Sequence, residues 1–146
     1  MKKVIIGVAV LLIIGLLYLF TKSGAIKVNI NTYKFGELSN LAVCADPDSR
    51  KVCFSHESQI PQSTGVLYTS ANYVNAKVGS SVIITWTYKD DNYEIDSGPV
   101  TVGQEGTEYI NGELTNHAKW PLGIYEVKMY VEGDEENQVS VEFEII

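Results

Sequence analysis

The sequence predicts a mainly β chain, an antiparallel β-sandwich preceded by one N-terminal transmembrane helix. Three observations carry this. Val4 to Phe20 is an unbroken apolar run without a charge. Beyond it, apolar and polar residues alternate at period two in segment after segment. Clusters of Gly, Asp, Asn and Pro separate those segments and carry turn chemistry.

A helix over Val4–Phe20 rises about 1.5 Å per residue and reaches roughly 25 Å, slightly short of the ~30 Å hydrocarbon layer. Lys2 and Lys3 at one end, and Thr21 with Lys22 at the other, can snorkel and close the difference. The positive-inside bias places the N-terminus in the cytoplasm and everything from about Ser23 outside. The competing reading is a cleaved secretory signal with Ser23-Gly24-Ala25 as its cleavage site, which leaves a secreted protein. The length of the run, Tyr18 and Phe20 at its interface end, and Lys22 beside the scissile bond favour an uncleaved signal anchor. Both readings export the rest of the chain. Gly7, Ala9 and Gly15 lack the four-residue spacing of a small-x-x-x-small helix pair, which favours a plain anchor over a packed one.

What remains is one acidic exported domain. The chain of 146 residues has a net charge of -7; without Lys2, Lys3 and Lys22, 8 basic residues face 18 acidic ones, a balance of -10. Nucleic acid and anionic lipid headgroups select basic surfaces, so neither is an expected partner beyond the helix's own membrane contact. The expected division is a signal anchor over 1–23, an extended stem with a cysteine-bridged hairpin over 24–64, and a sandwich over 65–146.

In the stem, Ile26 to Tyr33 reads as a strand. Asp46-Pro47-Asp48-Ser49 is a turn between two arms, Leu41 to Ala45 and Lys51 to Ser55, across which Cys44 and Cys53 can face each other. A disulfide fits that geometry and an oxidising compartment. A redox pair or half a metal site are the competing readings. The first normally has two residues between its cysteines, and the second needs further ligands where only His56 is near. Ser55 to Gly65 reads as the connector to the sandwich.

Beyond it the strands follow in order. Val66 to Tyr73, Ser81 to Lys89, Tyr93 to Val102 and Glu108 to Leu114 are separated by polar turns at 75–79, 89–92 and 103–106. Val82, Ile84, Trp86 and Tyr88 share one face. Ile124 to Glu132 and Gln138 to Ile146 alternate most cleanly and form a hairpin about Gly133-Asp134-Glu135-Glu136-Asn137.

Residues 65–146 resemble the immunoglobulin-like and fibronectin type III-like sandwiches of prokaryotic cell-surface proteins. The resemblance rests on the Trp-bearing strand Val82-Ile83-Ile84-Thr85-Trp86-Thr87-Tyr88 and on Trp120-Pro121-Leu122-Gly123-Ile124-Tyr125-Glu126-Val127, which looks like the Gly-x-Tyr opening of a late strand. It implies structural roles for Trp86 between the sheets and for Tyr125, with Gly123, at a tyrosine corner. Val127 stands where antibody-type domains carry their second bridging cysteine, and Cys44 and Cys53 are too close in sequence to be that pair. The likeness is one of architecture and transfers no activity.

No nucleophile elbow, zinc-protease motif, phosphate loop or dinucleotide fingerprint is present, and His56 and His117 lie in polar contexts, so no enzyme and no cofactor are expected. Asp90, Asp91 and Asp96 form a weak calcium candidate, as does the acidic run at 134–137. Neither has the spaced acidic loop that gathers six to eight oxygens. The chain has 9 tyrosines. Tyr88 and Tyr125 belong to the core by alternation, whereas Tyr93, Tyr109, Tyr130 and Tyr73 are expected to show; Trp120 is either an exposed anchor or a lid over the core. Tyr93, Tyr109, Tyr130 and Trp120 are the candidate binding residues. The functional expectation is a membrane-anchored extracytoplasmic binding or structural protein that presents an acidic sandwich to an envelope protein or surface polymer. The alternative is a subunit of a membrane or surface assembly.

Overall fold

The computed structural model describes residues 35–146. The apolar run and the strand expected at 26–33 lie outside the described residues. Eight strands follow in chain order: β1 (Glu37–Cys44), β2 (Gln59–Ile60), β3 (Val66–Ala76), β4 (Ser81–Tyr88), β5 (Tyr93–Thr101), β6 (Gly106–Thr115), β7 (Gly123–Val131) and β8 (Asp134–Ile145). The β-branched and aromatic residues of β4 and β7 fit a pleated surface with one face against a core. In β4, Val82, Ile84 and Trp86 are buried while Ile83, Thr85 and Thr87 are half-buried, and β7 alternates in the same way from Tyr125 to Val131.

The strands form an immunoglobulin-like sandwich. One sheet has the order β1-β3-β6 and the other β2-β8-β7-β4-β5. All ladders are antiparallel except the short parallel pairing of β2 with β8. Trp86 packs edge-on to Phe143 at 6.5 Å, and Tyr125 stacks on the other side of the same core at 5.4 Å from Phe143. Leu67, Ile110, Val82, Val127 and Met129 fill the space between the sheets. Each such side chain contributes about 1.5–3 kcal/mol on leaving water.

The two flanks of the sandwich differ. On one, residues 56–60 run as a strap from sheet to sheet. His56 accepts the Val43 N–H on Nδ1 at 3.3 Å and donates from Nε2 to the Glu142 carbonyl at 2.9 Å. Glu57 N–H donates to Val43 O, and the N–H groups of Glu144 and Ile146 donate back to Ser58 O and Ile60 O. The other flank, between edge strands β5 and β6, has no such strap among the described residues and is open.

Several expectations are corrected. β1 and β2, which fall within the expected stem, are strands of the sandwich itself. Residues 51–55 are not a strand, so the cysteine hairpin does not form. β1 pairs instead with β3, in which Cys44 faces Tyr68. The hairpin of β7 and β8 turns more tightly than its composition implies: Val131 pairs with Asp134, leaving Glu132-Gly133 as the turn, with Gly133 at φ 88. Asp134 to Asn137 therefore belong to β8, where both faces meet water and polar residues cost little. Tyr73, expected to show, is wholly buried.

Candidate functional site

The disulfide joins Cys44 at the end of β1 to Cys53, with Cα atoms 5.7 Å apart. It ties the loop 45–52 flat against the outer face of β1 and β3, where Ala42, both cysteines and Tyr68 form an apolar cluster separate from the main core. Asp48 organises the loop. Its carboxylate accepts the Arg50 and Val52 N–H groups and the Arg50 guanidinium, and these bonds, led by that from Val52, hold it below the usual carboxylate range. Lys51 reaches Glu113 of β6 at 2.6 Å, which raises the lysine's pKa. Arg50 lies over the Tyr109 ring at 5.3 Å. Beside this loop is a shallow depression of ≈ 420 Å³ bordered by Asn40, Arg50, Ser55, His56 and Tyr109, with Phe54 83% exposed at its rim.

The second concavity lies at the open flank. Tyr88 ends β4 and Tyr93 begins β5. They are register partners across the turn Lys89–Asn92, which Asn92 closes with its N–H on Lys89 O and a φ of 50. Across from them, β6 ends in Leu114 and Thr115 and the chain passes through Asn116 to Trp120-Pro121. The cleft between has a volume of ≈ 310 Å³ and is lined by Tyr88, Tyr93, Ile95, Leu114, Asn116 and Trp120, among others. Volumes of about 300–1,000 Å³ are usual for small-ligand sites.

The floor is rigid. Trp120 is 3% exposed. Its indole N–H donates to Thr64 O, its carbonyl accepts from Gln62 Nε2 at 2.7 Å, and its ring meets Tyr125 edge-on at 6.3 Å. Tyr125 donates its hydroxyl to Pro121 O, four residues upstream, at 2.8 Å, which makes the tyrosine corner. Tyr88, 5.0 Å from Tyr125 ring to ring, donates to Leu122 O at 2.9 Å. Gly123 permits the corner. At φ +134 it sits where L side chains rarely go, and a Cβ there would stand 2.0 Å from Asp90 Oδ2.

Carboxylates stand beside the tyrosines of the cleft. Burial raises the Tyr88 pKa first, and the Asp90 and Asp91 carboxylates raise it further. Burial pushes Tyr125 up to about 12, with Tyr88 and Asp90 adding to it. Lys89, on the same turn, is engaged elsewhere, by Glu142 at 3.2 Å and Glu126 at 3.5 Å, and both carboxylates raise its own pKa.

The four candidate binding residues do not form one site. Tyr93 and Trp120 meet in the cleft, Trp120 as its buried floor rather than as an exposed anchor. Tyr109 lies under Arg50 on the outer face of the three-stranded sheet, and Tyr130 is half-buried opposite Ile83 on the five-stranded sheet. Trp86 is buried between the sheets at 2% exposure. The calcium candidates do not converge: Asp90 and Asp91 are on the turn and Asp96 is on β5 opposite Trp86. Among the described residues, no three His, Cys, Asp or Glu side chains gather as a metal site would require. Sequence reasoning missed Phe54, the strap of His56, and the meeting of Tyr88 and Tyr93. The last was detectable, since two tyrosines flanking a four-residue turn are cross-strand neighbours.

No protein-family description matches the chain, and no curated protein does. Solved structures give remote likenesses. An alkylpurine DNA glycosylase of Pseudomonas fluorescens bound to abasic-site DNA matches at 16% identity and TM-score 0.48, over 75% of this chain and 30% of the glycosylase. An immunoglobulin-like protein of Pseudomonas aeruginosa matches at 12% identity and TM-score 0.47, over 75% of this chain and 97% of its own. The CARDB domain of a Pyrococcus furiosus protein, in complex with di-metal ions, matches at 10% identity and TM-score 0.44, over 77% of this chain and 90% of its own. This chain spans under a third of the glycosylase. Likeness at this level says nothing of activity, and the immunoglobulin-like description stands on the strand order.

Proposed function

We propose that this protein is a single-pass membrane protein with its N-terminus in the cytoplasm, holding a non-catalytic immunoglobulin-like domain outside to bind an envelope protein or surface polymer. The observation that carries this reading is polarity along the sandwich. The chain enters β1 at Glu37, opposite Val74, while Cys44 lies opposite Tyr68 towards the far end, level with Glu113 of β6. The cleft, with exposed Tyr93, occupies that far end. A domain tethered at its entry point presents such an end to the surroundings. The Cys44–Cys53 bond supports the compartment, because such bonds persist outside the reducing cytosol.

The test uses the full chain in sealed spheroplasts. Alkaline extraction should leave it in the membrane, protease added outside should digest the domain, and no thiol should react before reduction. A mature N-terminus near Ile26, or two reactive thiols in the untreated protein, overturns the reading.

A further inference from the structure

We propose that the tyrosine-walled cleft between the ends of β4, β5 and β6 is a binding site for an alkylammonium group, primary or quaternary. The proposal rests on the display reading only for the site's accessibility to outside ligands.

The cleft offers what an organic cation seeks. Its walls are the Tyr88 and Tyr93 rings, with Tyr93 64% exposed, and its base is closed by Leu114, Trp120 and Tyr125. Ring faces attract cations through their quadrupole, more strongly where water is displaced. The methyl or methylene groups of an alkylammonium also match an apolar lining, which a hydrated metal ion does not. Asp90 and Asp91, on the turn joining the two walls, bring negative charge beside the cleft: the Asp90 carboxylate and the Tyr88 ring both stand against Gly123.

Among the described residues that line the cleft, none is basic. Lys89 is tied to Glu126 and Glu142, and His117 and Lys119 are exposed on the loop that passes Asn116. The carboxylates therefore have no lysine or arginine partner built into the site. An anionic or phosphorylated ligand would meet repulsion there. The volume of ≈ 310 Å³ suits a headgroup or one lysine side chain rather than a bulky ligand.

The test is ligand-observed saturation-transfer NMR on the full chain in maltoside micelles, whose headgroup carries no ammonium. The probes are choline, its neutral isostere 3,3-dimethylbutan-1-ol, and Nα-acetyl-lysine methylamide. Choline or the lysine derivative should receive saturation and the neutral isostere much less; the stronger of the two cations identifies the source as quaternary or primary. Tyr93→Ala removes one exposed ring wall and should weaken binding about fivefold, the effect of one such contact. Asp90→Asn with Asp91→Asn should weaken the cations and leave the isostere unchanged. Equal transfer to the isostere, no transfer to any probe, or cation binding indifferent to these variants overturns the proposal. None of those results touches the display reading, which thiol and protease accessibility decide.

Discussion

Reduction of the Cys44–Cys53 bond tests how the loop 45–52 is held. The cysteines are separated by 9 positions. Closing a loop of that length removes about 2.6 kcal/mol of chain entropy from the unfolded state at 25 °C. Reduction isolates this quantity better than substitution, because both thiols stay in their apolar cluster and no cavity opens. For a unit of this size, with about 2.1 cal/mol/K of unfolding entropy per residue, the loss lowers Tm by about 10 °C. The sandwich core does not include the bridge, so strand content at 25 °C should be unchanged on reduction. The assay is thermal unfolding of the full chain in detergent, followed by circular dichroism with and without a phosphine reductant. A shift below about 3 °C would mean that the loop's closure is already enforced elsewhere, by Asp48 and the Lys51–Glu113 pair, and the chain-entropy argument would fail. Loss of strand signal at 25 °C would refute the separation of the two clusters.

Gly123→Ala combines a disfavoured φ with a clash on Asp90, so it should destabilise by about 2–4 kcal/mol in urea unfolding. Adding Asp90→Ala should recover only the steric part; full recovery would show that the backbone is unstrained. Tyr125→Phe should cost about 1 kcal/mol at neutral pH through the lost bond to Pro121. The Tyr125 hydroxyl, pushed up to about 12 in the fold from an ordinary 10.0, contributes stability that is intact below pH 10 and lost as pH rises through 12. The phenylalanine variant should therefore show a flatter alkaline limb, and an unchanged limb counts against Tyr125 as its source. Tyr73→Phe should leave stability within about 0.5 kcal/mol or raise it, since the Tyr73 hydroxyl is buried without a hydrogen-bond partner among the described residues. A loss above 1 kcal/mol in urea unfolding would point to a bridging water.

The strands that were legible in the sequence have one wet face. β4 and β7 alternate because water meets one side of each, and the resemblance carried Trp86 and Tyr125 to positions that pack and bond as a tyrosine corner requires. β1 was misread because its alternation is broken twice. A bulge at Asn40-Leu41 shifts the register, and the disulfide-tied loop covers the outer face, so Leu41 to Cys44 are all buried. Tyr73 is in phase with buried Leu67, Thr69 and Ala71, so its burial was legible; exposed Val74 and Asn75 and the bulge follow only after it. The acidic start of β8 looks like a loop because it is solvated on both faces. The cleft was beyond pattern reading. Its lining combines β4 and β5 of one sheet with β6 of the other, and periodicity reports which face a residue occupies without saying which edge lies across from it.

The free edges of the two sheets limit how this protein can associate. His56 and Glu57 occupy the outer backbone groups of Val43 on β1, β2 is two residues long, and β5 carries Pro99 and a bulge at Ile95, with Asp96 on the same face as Trp86. On β6, Glu108 lies in register with core Tyr73. Features of this kind discourage another strand from adding to a sheet. Among the described residues, copies crowded together therefore find no template for growing into a shared sheet. Contacts must be made through side chains at discrete positions, so occupancy should saturate at a fixed stoichiometry rather than propagate from one molecule to the next.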